Sequence, residues 1–512
     1  MNRNMDFSRG EKTVGSPWVT ATALYVLALV VRLVALALSD NEDGDSMIRI
    51  IYSRAVVDDG NLVPSTLWLP GHFYFLSIPY ALGLTGQVYS LLFTAIFSTF
   101  SIPLVYFLVR DRAEENWAIL AAVLLALFSL HIRFSIISVS DCPAVTLTLL
   151  GVLFCFRWVH NGKIGNLAVG AVAFNVASFM RFESWVVSMF PLIAVVITSA
   201  LSKQTVDKER VIRAVWFSAL CLVIPLLWCF FSWQHFGDVF ALQHATVLDT
   251  IDFFKDHPPS TLYISAFNPA VLLFSLGPIA VICFIGLYKS FFDQGLSELA
   301  VITLFLFLFL LTTQLTGRLI TQARYVLLVG SFIVVFIGPG LRACKMFLSA
   351  LNTERLPTWT VAMLTVWLSL LPIVSDWAPS PIAKKIYSIS PLPRFPKDIL
   401  LVNSWLQTHN AGHCAIGFLL DTKATAGPWQ SLLDNWYGIV HLQHNAASLM
   451  GLRQPYFARD RLSVSRFIQA TKCGHVVVNL RQEFLVDGEA VETSKLPQYS
   501  NASYAIYAWG KI

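Results

Sequence analysis

Long apolar runs recur along the chain from Trp18 to Trp377, separated by short polar turns. A helix needs about 20 apolar residues to cross the ~30 Å hydrocarbon core of a bilayer. Runs near 18–38, 86–109, 117–133, 142–158, 165–180, 184–201, 211–232, 267–289, 297–314, 325–347 and 359–377 meet or approach that length. The pattern predicts an all-α polytopic membrane protein with about eleven spanning helices. The first run is too long for a signal-peptide core, and no small-residue cleavage site follows it. It reads as a retained helix.

Three regions depart from this pattern. In the loop 39–86, Met47, Ile48, Ile51, Ala55 and Val56 recur at helical spacing, and Asp58-Asp59-Gly60 ends the run. A second stretch, 68–84, is apolar and aromatic but interrupted by proline. Both read as helices lying in the membrane interface. The segment 233–268 is polar and carries His235-Phe-Gly-Asp238. From about Ala378, short alternating runs such as His475-Val-Val-Val-Asn-Leu480 predict a small α/β C-terminal domain. The expected division is therefore 1–377, transmembrane, and 378–512, outside the bilayer.

Composition agrees with a membrane protein. Of 512 residues, 56% are apolar and 13% charged, against about 25% charged in soluble domains. The net charge of +5 is spread over loops, which argues for membrane orientation and against nucleic acid as a partner. With the N-terminus cytoplasmic, fifteen Lys and Arg fall in cytoplasmic segments and seven in the opposite loops before the tail. The excess favours that orientation, and an odd number of spans then places the tail outside the cytoplasm. None of the eight cysteines forms a CxxC pair, and six lie in or beside apolar runs. Cys414 and Cys473 lie in the tail, where a disulfide and two free thiols are equally compatible with their spacing. Asn501-Ala-Ser503 is a glycosylation sequon, meaningful only in a host with that machinery. No internal repeat or nucleotide-binding glycine loop is present.

Polar constellations gather on one expected side of the membrane. Ser39-Asp-Asn-Glu-Asp-Gly-Asp-Ser46 holds four carboxylates in six residues, with Asp43-Gly-Asp45 forming a DxD triplet. Asp45 and Ser46 also suit the N-cap of the next helix, a role compatible with chemistry. Ser138-Val-Ser-Asp141 opens a later span, Arg181-Phe-Glu-Ser-Trp185 joins two spans, and Arg318-Leu-Ile-Thr-Gln-Ala-Arg-Tyr325 joins two more. Ionisable groups at membrane depth cost about 2.5–3.5 kcal/mol on insertion scales and commonly mark function. The plainer role is interfacial anchoring, with arginines snorkelling beside aromatic rings. Together the four segments combine acids for proton transfer with arginines suited to a phosphate.

In order and spacing these segments resemble the GT-C superfamily of polyprenyl-phosphate-sugar-dependent glycosyltransferases. The likeness is greatest to glycosyltransferase family 39 and its bacterial relatives: protein O-mannosyltransferases, the lipid A aminoarabinose transferase and RgtA/B/C/D-like enzymes. It covers about residues 18–345. It rests on Asp45-Ser-Met-Ile-Arg-Ile-Ile-Tyr-Ser-Arg54, on Trp68-Leu-Pro-Gly-His72, on Asp141, on Arg181-Phe-Glu-Ser-Trp185, and on Gln322-Ala-Arg-Tyr-Val-Leu-Leu328. Ser46 stands where the family often has Glu, and Leu69-Pro70 where it has Pro-Pro. The tail is similar to nothing specific, so neither donor sugar nor acceptor carries over.

The resemblance implies inverting transfer of a hexosyl or pentosyl group from a polyprenyl phosphate to a glycan, lipid or protein hydroxyl at the extracytoplasmic face. By position, Asp45 is the expected base, followed by Asp43, with Asp141 and Glu183 in support. Arg324, Arg318, Arg181 and Arg49 are the expected phosphate clamps, and Trp68, Pro70, His72 and Tyr325 the expected substrate-side residues. No cofactor is required, since arginines can stabilise a monophosphate leaving group. Asp43, Asp45 and Asp141 remain an alternative oxygen-ligand set for a divalent metal. A transporter or flippase for a lipid-linked or anionic substrate is the rival reading. Against it, the polar groups gather at one face rather than at the midplane.

Overall fold

The computed structural model describes residues 16–347, apart from breaks at 40–43, 66–67, 85–86, 202–207, 255–258, 293–294 and 320. Beyond 347 it describes 360, 362–367, 390–392 and short pieces of the tail.

The chain is a multi-pass bundle of α-helices. It begins with α1 (Pro17–Leu38), then α2 (Gly44–Asp58) and α3 (Gly71–Ala81). Next come α4 (Gln87–Thr99) and α5 (Ser101–Arg110), which together form the span Val88–Arg110. They are followed by α6 (Glu115–Ala126), α7 (Ser129–Ser135), α8 (Asp141–Asn161), α9 (Ile164–Met180), α10 (Glu183–Val187) and α11 (Phe190–Leu201). Helices α12 (Lys208–Cys221) and α13 (Val223–Phe236) run on as one long span, before α14 (Ala241–Phe254). The rest are α15 (Thr261–Leu276), α16 (Ile279–Ser290), α17 (Ser297–Leu315), α18 (Ala323–Ile333) and α19 (Ile337–Phe347).

Burial ranks these helices from the centre outward. The spanning window of α8 is 78% buried and that of Ala323–Cys344 is 83%, whereas that of α1 is 33%. A helix apolar on all sides and buried on all sides belongs at the centre of a bundle. Helix α1 turns Ala21, Leu24, Ala28 and Ala35 inward, and presents Val26, Leu27, Val30 and Val34 outward. Those outer side chains suit lipid contact.

The expectation of about eleven spanning helices is revised. Six helices among the described residues are long and apolar enough to cross a membrane, and eight segments qualify if each of two bent pairs counts as one. Helices α9 and Glu183–Ser199 are apolar but shorter. Helices α6 and α7 meet at a 58° bend within the expected span 117–133. The expected span 267–289 is not straight, because α15 and α16 meet at 118°. Gly277, at φ +62°, takes a backbone conformation open chiefly to glycine, and Pro278 follows it. An apolar run shows length but not such a reversal. The expected span 359–377 falls mostly outside the described residues.

The two helices expected in the first loop are present as α2 and α3, neither long enough to span. Ile50, Phe75, Leu76, Ala144, Leu147, Ala177 and Met180 form one apolar cluster that packs α2 and α3 against α8 and the end of α9. Gly71 opens α3 where a side chain would not fit: an added Cβ would lie 2.5 Å from the Phe179 carbonyl oxygen. The approach brings the start of α3 within two residues of Arg181 in sequence. Of the tail, the described residues include the strand His475–Asn479, paired antiparallel with Tyr504–Ala508 and parallel with Ala415–Gly417. Most of the expected C-terminal domain, Cys414 and Cys473 included, lies outside the described residues.

Candidate active site

The site grows from the start of α8. Asp141 occupies its first turn, where the helix dipole favours a negative charge. Its side chain is only 3% exposed. Arg181 Nη1 donates to Asp141 Oδ1 at 2.6 Å, and Asp141 Oδ2 has no hydrogen-bond partner among the described residues. Arg181 ends α9 in an extended conformation (φ −147°, ψ 137°), which turns the chain sharply into α10. Two residues later, Glu183 accepts from Arg181 Nη2 at 2.5 Å and from Nε at 3.1 Å. One guanidinium thus holds two carboxylates, gripping Glu183 through a bidentate fork.

The start of α18 faces this group. The guanidiniums of Arg181 and Arg324 lie 5.3 Å and 5.4 Å from the centre of the Tyr325 ring, within cation–π range. All five residues line a cavity of about 380 Å³ of atom-free space, part of it open to solvent. Thr148 and Ser184, their hydroxyls 3.5 Å apart, add polar groups. Leu306, Leu310, Leu327 and Leu328 form an apolar wall. Two acids and two guanidiniums therefore meet leucines in one chamber.

A second cluster lies beside the first. Arg49, buried on α2, places its guanidinium 4.4 Å from the Trp68 ring centre and 5.9 Å from that of Phe73. Its Nη1 is 3.5 Å from His72 Nδ1, at the outer limit of hydrogen bonding. Burial, then Arg49 and Arg181, push the His72 imidazole well below its ordinary range, so it stands neutral. Pro70 caps the start of α3, and its neighbour Leu69 packs beside Phe179 and Trp228. One bond ties this cluster to the first: Ser138 N–H donates to Ser46 Oγ at 2.7 Å, three residues before Asp141. Asp45 precedes Ser46 in the first turn of α2.

Of the residues singled out in the sequence, Asp141, Arg181, Glu183, Arg324 and Tyr325 converge on the cavity. Arg49, Trp68, Pro70 and His72 form the neighbouring cluster. Arg318 does not join either: it is exposed in the turn after α17. Sequence proximity to Arg324 suggested otherwise, but Gly317, at φ +67°, reverses the chain before α18 begins. Asp43 lies outside the described residues. Among the described residues, no group of three His, Cys, Asp or Glu side chains could hold a metal, and Arg181 occupies one oxygen of Asp141. Sequence reasoning missed Thr148, a small hydroxyl within an apolar run, and gave Ser184 of the Arg181–Trp185 segment no role of its own. It also passed over Arg32, a charge inside the first apolar run, where the cost of an ionisable group was the available signal.

Residues 64–229 match the family model of dolichyl-phosphate-mannose-protein mannosyltransferases. No curated protein matches the chain. Among solved structures, ArnT from Cupriavidus metallidurans bound to undecaprenyl phosphate is similar, with a TM-score of 0.57 and 12% identity. That match covers 96% of this chain and 98% of ArnT. The apo form of the same protein gives a TM-score of 0.56 and 13% identity over 96% and 97%. At such identity the likeness establishes the fold. In fold, and in the matched segment 64–229, the chain resembles the GT-C polyprenyl-phosphate-sugar glycosyltransferases.

Proposed function

We propose that the chain is a membrane glycosyltransferase, moving a sugar from a polyprenyl phosphate to an acceptor hydroxyl with inversion. The cavity carries this reading. Its two guanidiniums suit a phosphate, its leucine wall suits the start of an isoprenoid chain, and its carboxylates suit a hydroxyl or sugar. The ArnT structure, which holds undecaprenyl phosphate in the same fold, supports the choice of carrier.

The chemistry follows from charge. The acceptor oxygen attacks the anomeric carbon from the face opposite the phosphate and gives its proton to a carboxylate. The bond from the anomeric carbon to the phosphate oxygen breaks, and its electrons stay with the phosphate. Arg324, with Arg181 and Arg49 nearby, stabilises the growing negative charge; such preorganised donors are worth about 10²–10³ in rate. Asp45 is the proposed base. Ser46 ties its helix to the segment leading into Asp141, and base catalysis contributes about 10²–10⁴-fold. Asp141 and Glu183 hold Arg181 in place, and Asp141 Oδ2 is left to bind the sugar.

The excess of Lys and Arg in one set of loops supports a cytoplasmic N-terminus, with the cavity on the other side. The test reconstitutes the whole protein in vesicles with labelled polyprenyl-phosphate sugars and glycan, lipid or peptide acceptors. Transfer by wild type and a loss of about 10²-fold or more in Asp45→Asn is expected. Equal transfer by both removes Asp45 as base. No transfer from any lipid donor, with passage of the donor across the vesicle, replaces the enzyme by a flippase.

A further inference from the structure

Helix α1 carries one charge inside its apolar run. Arg32 is fully buried, six residues before the end of the helix, about 9 Å along its axis. Among the described residues, its hydrogen-bond partners are two carbonyl oxygens and an imidazole rather than a carboxylate. Those partners explain why it is there.

The 58° bend between α6 and α7 interrupts the backbone ladder, so carbonyls at the end of α6 lose their helical donors. Arg32 Nη1 donates to the Ala126 oxygen at 3.1 Å and to Ala28 of its own helix at 3.0 Å. A cation at a helix C-terminus also meets the negative end of the dipole. Arg32 Nη2 lies 2.8 Å from His131 Nδ1. A guanidinium has only donors, so Nδ1 accepts and the proton sits on Nε2. That N–H reaches Ser101 Oγ at 2.7 Å, and the Ser101 hydroxyl donates to the Ser98 carbonyl, also at 2.7 Å. Every donor along the chain from α1 through α7 to α5 has one direction.

A separate bond ties the histidine of this relay to the site. Cys142 Sγ, next to Asp141, donates to the His131 carbonyl at 3.5 Å. The eleven residues from His131 to Asp141 are therefore held at one end by the relay and near the other by the Ser46–Ser138 bond. We infer that Arg32, His131 and Ser101 are positioning residues, which fix the bend at α7 and so aim Asp141 at Arg181. The link to catalysis rests on the proposed glycosyl transfer; the link to backbone order does not.

Two measurements on the full-length protein in nanodiscs test this. In Arg32→Met, hydrogen exchange across residues 127–141 should quicken about tenfold, with little change near Arg157 at the far end of α8. Its kcat should fall about 10²-fold, the scale of a misplacement near 1 Å. The KM for the polyprenyl-phosphate donor should stay within about twofold, because Arg32 does not line the cavity. His131→Leu should match it. His131→Asn keeps an acceptor near Nδ1 and should stay within about threefold of wild type. Unchanged exchange at 127–141, a rise in KM alone, or equal losses in the Leu and Asn variants would each overturn the inference. Should Arg32→Met fail to fold, Ser101→Ala removes only the hydroxyl that His131 Nε2–H reaches; unchanged exchange and unchanged kcat there also overturn it. A wild type with no transfer activity removes the proposed function, while the exchange measurement still decides the relay.

Discussion

The two ends of α8 carry similar charges arranged in different ways. At its start, one arginine serves two carboxylates, and all three side chains are less than a fifth exposed. Sixteen residues on, about 24 Å along the axis, Arg157 pairs with Asp111 at 2.8 Å, each about a third exposed. In the same region Arg210 pairs with Glu298, and Arg342 with Glu114. There each acid has its own arginine, and water screens the more exposed pairs. At the start of α8 the acids share one cation next to a cavity, and Asp141 keeps an oxygen without a partner among the described residues. One-to-one pairing, with both partners solvent-accessible at Arg157–Asp111 and Arg342–Glu114, leaves those charges satisfied. Shared, incomplete pairing beside a cavity leaves capacity for a substrate.

Breaking the shared arginine should have the largest effect. Arg181→Met leaves two buried carboxylates without their cation, and about 3–5 kcal/mol of stability should be lost, read as a fall in Tm in detergent. An unchanged Tm would mean the three groups are not coupled. Arg324→Gln, at the cavity wall, should lower kcat/KM for a polyprenyl-phosphate sugar by about 10²–10³ with the fold intact. If Tm falls as well, Arg324 is as structural as Arg181 and the contrast within the site is lost.

Smaller effects sharpen the comparison. Gly71→Ala forces its Cβ against the Phe179 carbonyl and should cost about 1–3 kcal/mol, separating α3 from the end of α9. His72 is neutral in the folded protein because burial, Arg49 and Arg181 depress its pKa. The unfolded chain takes up the proton that the folded one refuses. This contribution to stability is whole above the ordinary histidine range and is lost as pH falls below about 6.5, at no more than ~1.4 kcal/mol per pH unit. A His72→Asn variant should show a shallower decline of Tm between pH 7.5 and 5.5. At the other end of α8, Glu114→Gln should change stability by less than about 1 kcal/mol, and a larger change would erase the distinction between the two ends.

Local sequence carried the elements whose causes are local. Apolar runs mark helices because hydropathy is a property of neighbouring residues, so α1, α8 and α17 were legible almost to their ends. The helix pair α2 and α3 was legible from proline, glycine and helical spacing. Arg181 and Glu183 stood out because two charges between apolar runs need a reason. Tertiary structure decided the rest. Asp141 and Arg181 are forty residues apart, and Arg324 lies another 143 beyond, so their meeting depends on how α8, α9 and α18 pack. The 118° reversal at Gly277 and the exposure of Arg318 turn on single backbone dihedrals that an apolar pattern does not encode. Arg32 shows both sides: its charge was visible in the sequence, but its purpose appears only where a bent helix leaves a carbonyl for it to reach.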